Sequence, residues 1–267
     1  MLYKRDYTLL TDEERRGWDR AEEMIRPKKV LSALEVATYC DMMPPAGWYH
    51  MQLFPNNYLC PAELKDRERL RGAEEGLLRI LDDPDAGERE ILNFVRDNEY
   101  YFLVGSLFRR FCFGHHEAFL FREFPLGTEH VADYLLVGKN SGGYEFVFVE
   151  FESPRGAITT RTGDFGDAIR KGINQAKDWN RWLDANFPTL HTRFERALGR
   201  HRPDLPKEFY KSDRSRRHYV VVAGRRADYN EKTYALRREL AKENGILLQH
   251  YDNLADLTEE LAERGNY

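Results

Sequence analysis

Cysteine is scarce in this chain: three in 267 residues, Cys40, Cys60 and Cys112. They are widely spaced and odd in number, which excludes a disulfide framework and offers no zinc-ligand spacing. No apolar run approaches the roughly 18 residues of a membrane span. The opening stretch MLYKRDYTLLTDEERRGWD has no apolar h-region, so no secretory signal is expected. The expectation is a soluble cytoplasmic protein with reduced thiols. An excess of positive charge is missing too. A formal net charge of −4 argues against a protein that coats nucleic acid indiscriminately. It leaves room for an enzyme whose acidic site and basic patches cancel in the sum. No Walker loop and no G-x-G-x-x-G follows any strand-like run, which sets aside a nucleotide-binding α/β protein. Internal repeats and low-complexity tracts are absent as well.

What is present is a core. Hydrophobic residues make up 42% of the chain and aromatics 13%, enough for one large domain or a compact domain with an extension. Thr11 with Glu14 forms a capping box ahead of a charged helix. A second, amphipathic helix is expected from Lys28 to the stop at Pro44-Pro45. Trp48, Tyr49, Phe54 and Tyr58 then sit in an irregular stretch. They invite a base-stacking reading, but packing against the next helix is the simpler one. A surface helix runs from about 62 to the Asp83-Pro84 break, and one long amphipathic helix from Gly87 to Phe111. From about residue 90 the order is helix, three strands, helix, strand, helix, strand, helix, with Gly245 capping the penultimate helix. A three-strand meander, a crossover helix and a further strand make an α/β/α sandwich with a mixed sheet. Residues 1–90 form a mainly helical N-terminal region, and 91–267 the α/β domain.

The chemistry converges on Val131 to Pro154. Two apolar runs flank Gly-Lys-Asn-Ser-Gly-Gly, which reads as a β-hairpin. Asp133, Glu150 and Glu152 lie inside these strands. A charge in a half-buried strand is costly unless paired, and a divalent cation is one such partner. Glu150 and Glu152 are two apart and share a face. Solvated acids on edge strands are the competing reading. The adjacent His115 and His116 would point to opposite faces of a strand, which makes them poor joint ligands.

An Asp on one strand and Glu-x-Lys on the next resembles the core of the PD-(D/E)xK nucleases, with Asp133 in the first position and Glu150 in the second. Glu152 stands where that superfamily usually has Lys. Gln175, four residues before Trp179 in the following helix, resembles the glutamine motif of the RecB-like branch. The joint order of NFVRDNEYYFL, ADYLLV, VFVEFESP, the Gln175 helix, YVVVAGRR and LLQHYDNL is similar to the Shedu family of bacterial anti-phage proteins, over roughly residues 93 to 255. The resemblance implies a restriction-endonuclease-like fold and a Mg²⁺- (or Mn²⁺-) dependent DNA endonuclease or nickase. It also implies a homo-oligomer and a variable, regulatory N-terminal part. Asp133, Glu150 and Glu152 would bind the metal, and Gln175 would orient a carboxylate or the phosphate. Lys171, one helical turn before Gln175, is the candidate for the missing cation, with Lys177 and Arg155 behind it. Whether Glu99 or Glu123 joins the metal shell stays open.

Arg155, Arg161, Lys177 and Arg181 are the expected DNA contacts. Arg170 stands near them, and Lys211, Arg214, Arg216, Arg217, Arg225 and Arg226 flank the fourth strand. No base-reading motif is apparent, so double-stranded DNA with little sequence preference is the expected partner. The second reading keeps the fold but makes it a DNA- or protein-binding module with a degenerate site, on the strength of Glu152.

Overall fold

The structure, a computed structural model, describes residues 2–26, 30–202 and 204–267. Five strands form one mixed sheet in the order β1 (Glu117–Leu126), β2 (His130–Asn140), β3 (Gly143–Phe151), β4 (Arg217–Val222) and β5 (Ile246–Gln249). The first three are an antiparallel meander. β4 runs parallel to β3, and β5 parallel to β4. The expected hairpin is tighter than its spacer suggested, because pairing continues to Asn140 and Gly143 and leaves only Ser141 and Gly142 in the turn.

Side chains alternate across the pleat and build two cores. Leu136, Val147, Val149, Phe151, Val220 and Val222 meet α4 (Arg67–Asp82), α5 (Glu88–Asp97), α6 (Tyr101–Gly105) and α10 (Asp252–Arg264) on one face. Leu135, Val137, Phe146, Phe148, Tyr219 and Val221 meet α7 (Asp167–Asn186) and α8 (His191–Ala197) on the other, with α9 (Glu231–Asn244) also on that side. Both faces of the sheet are therefore covered by helices, as the near-continuous apolar β4 requires.

The single long helix expected between Gly87 and Phe111 is three pieces. α5 ends at Asp97, Glu99 adopts a left-handed backbone (φ 54°), and α6 and a 3₁₀ turn follow. Chain reversal at Asn98-Glu99 lets Ile91 and Val95 face the same core as Phe102 and Val104. The helix after Asp66 is no surface helix, since Leu70, Ala73, Leu77 and Leu81 are fully buried. The second helix, α2 (Ala33–Met42), starts at Ala33 behind a Ser32–Glu35 capping box, and Lys28 lies outside the described residues. Phe54 is fully buried against Phe119, Phe121, Phe194 and Phe209, so it packs on β1 and α8 and not on the next helix. Packing crosses residue 90: Leu2, Tyr3, Tyr49 and Leu59 share a core with Tyr134 and Val149. The thiol of Cys60 is buried, those of Cys40 and Cys112 are exposed, and all three are free. Gly245 ends α9 in a left-handed conformation (φ 67°), as its position predicts.

Candidate active site

The site is where the β2–β3 ladder stops. Regular pairing ends at Tyr134 and Val149. The next N–H of β3, from Phe151, is taken by the Asp133 side chain, with Oδ2 accepting at 2.7 Å. Opposite Asp133, Glu123 of β1 has a left-handed backbone (φ 49°) and drops out of the β1–β2 pairing. The inward face of β1 changes parity there, from Phe119 and Phe121 to Phe124 and Leu126. This irregularity turns Asp133 toward a cavity of ≈ 530 Å³, lined also by Glu88, Asn93, Arg122 and Glu123.

Glu150 and Glu152 share the face that looks onto α7, as their spacing predicts. Both are almost fully buried, at 4% and 3% exposure. The Glu152 backbone is held from both sides, its N–H donating to Val222 O at 2.9 Å and its carbonyl accepting from Tyr251 Oη at 2.6 Å. Lys171 on α7 donates to Glu152 Oε2 at 3.0 Å and lies 3.0 Å from Oε1. Gly172 makes this contact possible. A Cβ there would come within 2.8 Å of Val221 Cγ1 and 2.9 Å of Glu152 Cγ, so only glycine lets α7 sit this close to β3 and β4.

The electrostatics are those of an acid cluster short of positive charge. Burial pushes the Asp133 carboxyl up to about 7, with Glu88 and Glu152 adding to it against the Phe151 N–H. Burial, then Asp133 and Glu152, push Glu150 up to about 10. Burial also raises Glu152 and Glu88, which Lys171 only partly offsets. Desolvation acts downward on the Lys171 ammonium itself, and Glu152, Glu88 and Glu150 outweigh it. Glu150 Oε2 is buried and has no hydrogen-bond partner among the described residues. An unpaired buried oxygen among mutually repelling carboxylates is the donor chemistry a hard cation takes. Among the described residues no group of three or more His, Cys, Asp or Glu side chains is gathered closely enough to hold a metal by itself.

The other expected residues are dispersed. Gln175 is half-buried one turn beyond Lys171 and makes no hydrogen bond among the described residues. Arg155 does not face the cluster. Its guanidinium donates to Leu81 O (3.0 Å), Ala86 O (3.3 Å) and Asp83 O, tying the loop after β3 to the end of α4. Arg161 is exposed on that loop. Lys177 lines a cleft between α7 and α9 beside Asp164, Glu239 and Glu243. Arg181 pairs with Asp178. Glu99 is remote, its Oε1 accepting from Lys4 N at 2.7 Å. His115 and His116 are exposed with ring centroids 4.4 Å apart, so they lie side by side and do not point to opposite faces. Glu88, at the start of α5, is the acid that sequence reasoning missed. Nothing in its spacing announces that the α5 N-terminus lines the same cavity as Asp133.

A family model described as "Shedu protein SduA, C-terminal" matches residues 85–254. The chain belongs to this Shedu family. The matched span starts just before Glu88 and includes all five strands, α7 and every acid of the cluster. No curated protein matches the chain. Among the described residues no helix is long and apolar enough to cross a membrane.

Proposed function

We propose that this Shedu family member is a metal-dependent DNA endonuclease or nickase of anti-phage defence, built on a restriction-endonuclease-like fold of the PD-(D/E)xK type. One observation carries the reading: buried Glu150, with an unpartnered Oε2, stands beside Asp133 and the Lys171–Glu152 pair. Asp133 and Glu150 would hold Mg²⁺ or Mn²⁺, with Glu152 and Glu88 at its flanks. A bound ion would activate a water for attack on the scissile phosphate and screen the charge that builds on it.

The remaining work falls to the chain itself. The Phe151 N–H fixes the Asp133 carboxylate. Lys171, held by Glu152, brings an ammonium to the place where Glu152 replaces the usual lysine, and a positive charge there stabilises a phosphate that gains negative charge. Gln175 would orient the phosphate or a carboxylate. Of the basic residues first considered for DNA, Arg161 and Lys177 stay in the proposal, whereas Arg155 and Arg181 are engaged elsewhere. A cytoplasmic homo-oligomer belongs to the same reading, and light scattering tests the assembly.

The competing reading is a binding module with a degenerate site, and the Lys171–Glu152 pair favours it by tying the lysine to a carboxylate. Nicking of supercoiled plasmid and cutting of linear duplex, with Mg²⁺ or Mn²⁺, separates the two. The nuclease reading expects metal-dependent cleavage that Asp133→Ala and Glu150→Ala each abolish. DNA binding without cleavage by the wild type would sink it in favour of the module.

A further inference from the structure

The cavity in front of Asp133 does not end there. Arg122 and Glu123 also line a second cavity of ≈ 400 Å³, bounded by Phe124, the N-terminal segment at Leu2 and Thr8, and α8. The two adjoin through these residues at the β1 edge of the sheet, one on the α5 side and the other on the α8 side. Their charge differs. Near Asp133, Glu88, Glu123 and Asp133 balance Arg89, Arg96 and Arg122. In the second, Arg122, Arg193 and Arg196 face Glu123 alone among the ionisable residues lining the cavity.

The sequence of α8 puts those arginines there. Phe194 is fully buried against Phe54, Phe121 and Phe124, which fixes the helix's rotation. Arg193 and Arg196, three apart, then share the exposed side at the rim. Neither makes an ion pair or hydrogen bond among the described residues. Several arginines elsewhere are committed: Arg214 and Arg217 to Asp184, Arg225 to Asp252 and Asp82, Arg226 to Asp256, and Arg155 to backbone carbonyls. Arg71, Arg161 and Arg238 are exposed and unpaired among the described residues, but they line neither cavity. An arginine already paired must give up its partner to take a phosphate. An unpaired one releases counterions from DNA at no such cost.

We propose that the two cavities, adjoining at Arg122 and Glu123, form the DNA track of the protein, with Arg193 and Arg196 holding the sugar-phosphate backbone of a duplex whose scissile phosphate lies at Asp133 and Glu150. The assignment rests on the nuclease reading above. It moves the principal DNA contacts to the β1–α8 side, away from the loop after β3.

The test is binding of a random-sequence 30-bp duplex to the full chain by fluorescence anisotropy across a NaCl series, without divalent ions. Two lost phosphate contacts make the plot of log K against log[salt] shallower by about 1.8, at roughly 0.9 per phosphate. Arg193→Gln/Arg196→Gln should show that change with an unaltered melting temperature, and Arg193→Lys/Arg196→Lys should keep most of the wild-type slope. Arg71→Gln/Arg238→Gln removes two exposed arginines that line neither cavity and should leave the slope unchanged. If the Arg193/Arg196 variant keeps the wild-type slope, or the Arg71/Arg238 control falls equally, the track is wrong while cleavage by the wild type still upholds the nuclease. A wild type that binds no duplex at any salt overturns the track, and metal-dependent plasmid cleavage then decides the nuclease reading on its own.

Discussion

The two ends of the β3–β4 pair handle buried charge in opposite ways. At one end Arg217 opens β4, its side chain 1% exposed, and donates to Asp184 on the last turns of α7 at 2.7 Å, with Arg214 on the same carboxylate. Four residues along β4, about 13 Å away, Val221 pairs with Glu150, and the first turns of α7 bring one lysine to the acid cluster. Partial burial acts upward on Asp184, but Arg217 and Arg214 outweigh it and hold its carboxyl below the usual range. Asp133 and Glu150 are pushed the other way. The same helix thus closes an ion pair at one end and leaves an acid excess at the other. A buried charge matched by an opposite one serves the fold, even though Arg217 Nε and Nη1 have no hydrogen-bond partner among the described residues. Carboxylates left mutually repelling cost stability, and such perturbed groups cluster where chemistry is done.

The sharpest break in this comparison is Asp184→Ala, which leaves Arg217 buried and unpaired. It should cost about 3 kcal/mol in denaturant unfolding, the low end for one partner of a buried pair because Asp184 is partly exposed. Activity per folded molecule should not change, so an activity loss exceeding the folding loss would blur the division between the two ends. Lys171→Met attacks the other end. It should lower plasmid nicking about 100-fold, because it removes the site's nearby cation, and it should also lower the melting temperature, because Glu152 is left buried without its partner. Glu152→Gln in that background should add little, as the two act as a pair, and additive losses would contradict the pairing.

Gly172→Ala asks whether the approach of α7 matters. The added Cβ overlaps Val221 and Glu152, and overpacking of this kind costs about 1–3 kcal/mol. Nicking should fall further than stability, because Lys171 rides on the displaced turn. The smallest effect is in the pH profile of the melting temperature. Asp133 and Glu150 have folded values raised above an unfolded value of about 4. Their stability contribution is complete below that pH and is lost as pH rises through about 7 for Asp133 and on toward about 10 for Glu150. Asp184, held low, contributes above the unfolded value and loses that contribution as pH falls through its folded value. Glu150→Gln should therefore flatten the alkaline limb alone, and Asp184→Ala the acid limb alone. Flattening of the same limb by both would erase the contrast.

The sequence by itself determined the elements with strong local signals: the hairpin around Ser141-Gly142, the apolar β4, the α7 stripe through Ile169, Ile173, Ala176, Trp179 and Leu183, and the Gly245 cap. Period-2 alternation alone set Glu150 and Glu152 on one face, and helical spacing set Lys171 one turn before Gln175. These follow from short-range geometry, which any stretch of chain carries with it. Only the tertiary structure decided what those side chains meet. The breaks at Glu99 and Glu123, both left-handed, depend on long-range packing, since neither residue type demands that conformation. Arg155 and Arg161 look alike in sequence, yet one is bound to the carbonyls that end α4 and the other is exposed. Glu88 reaches the cluster because α5, packed on α4 and α6, brings it to the cavity of Asp133, and Arg193 with Arg196 reaches the second cavity because Phe194 is buried. Charge placement is a property of what packs beside it, and that partner lies tens of residues away along the chain.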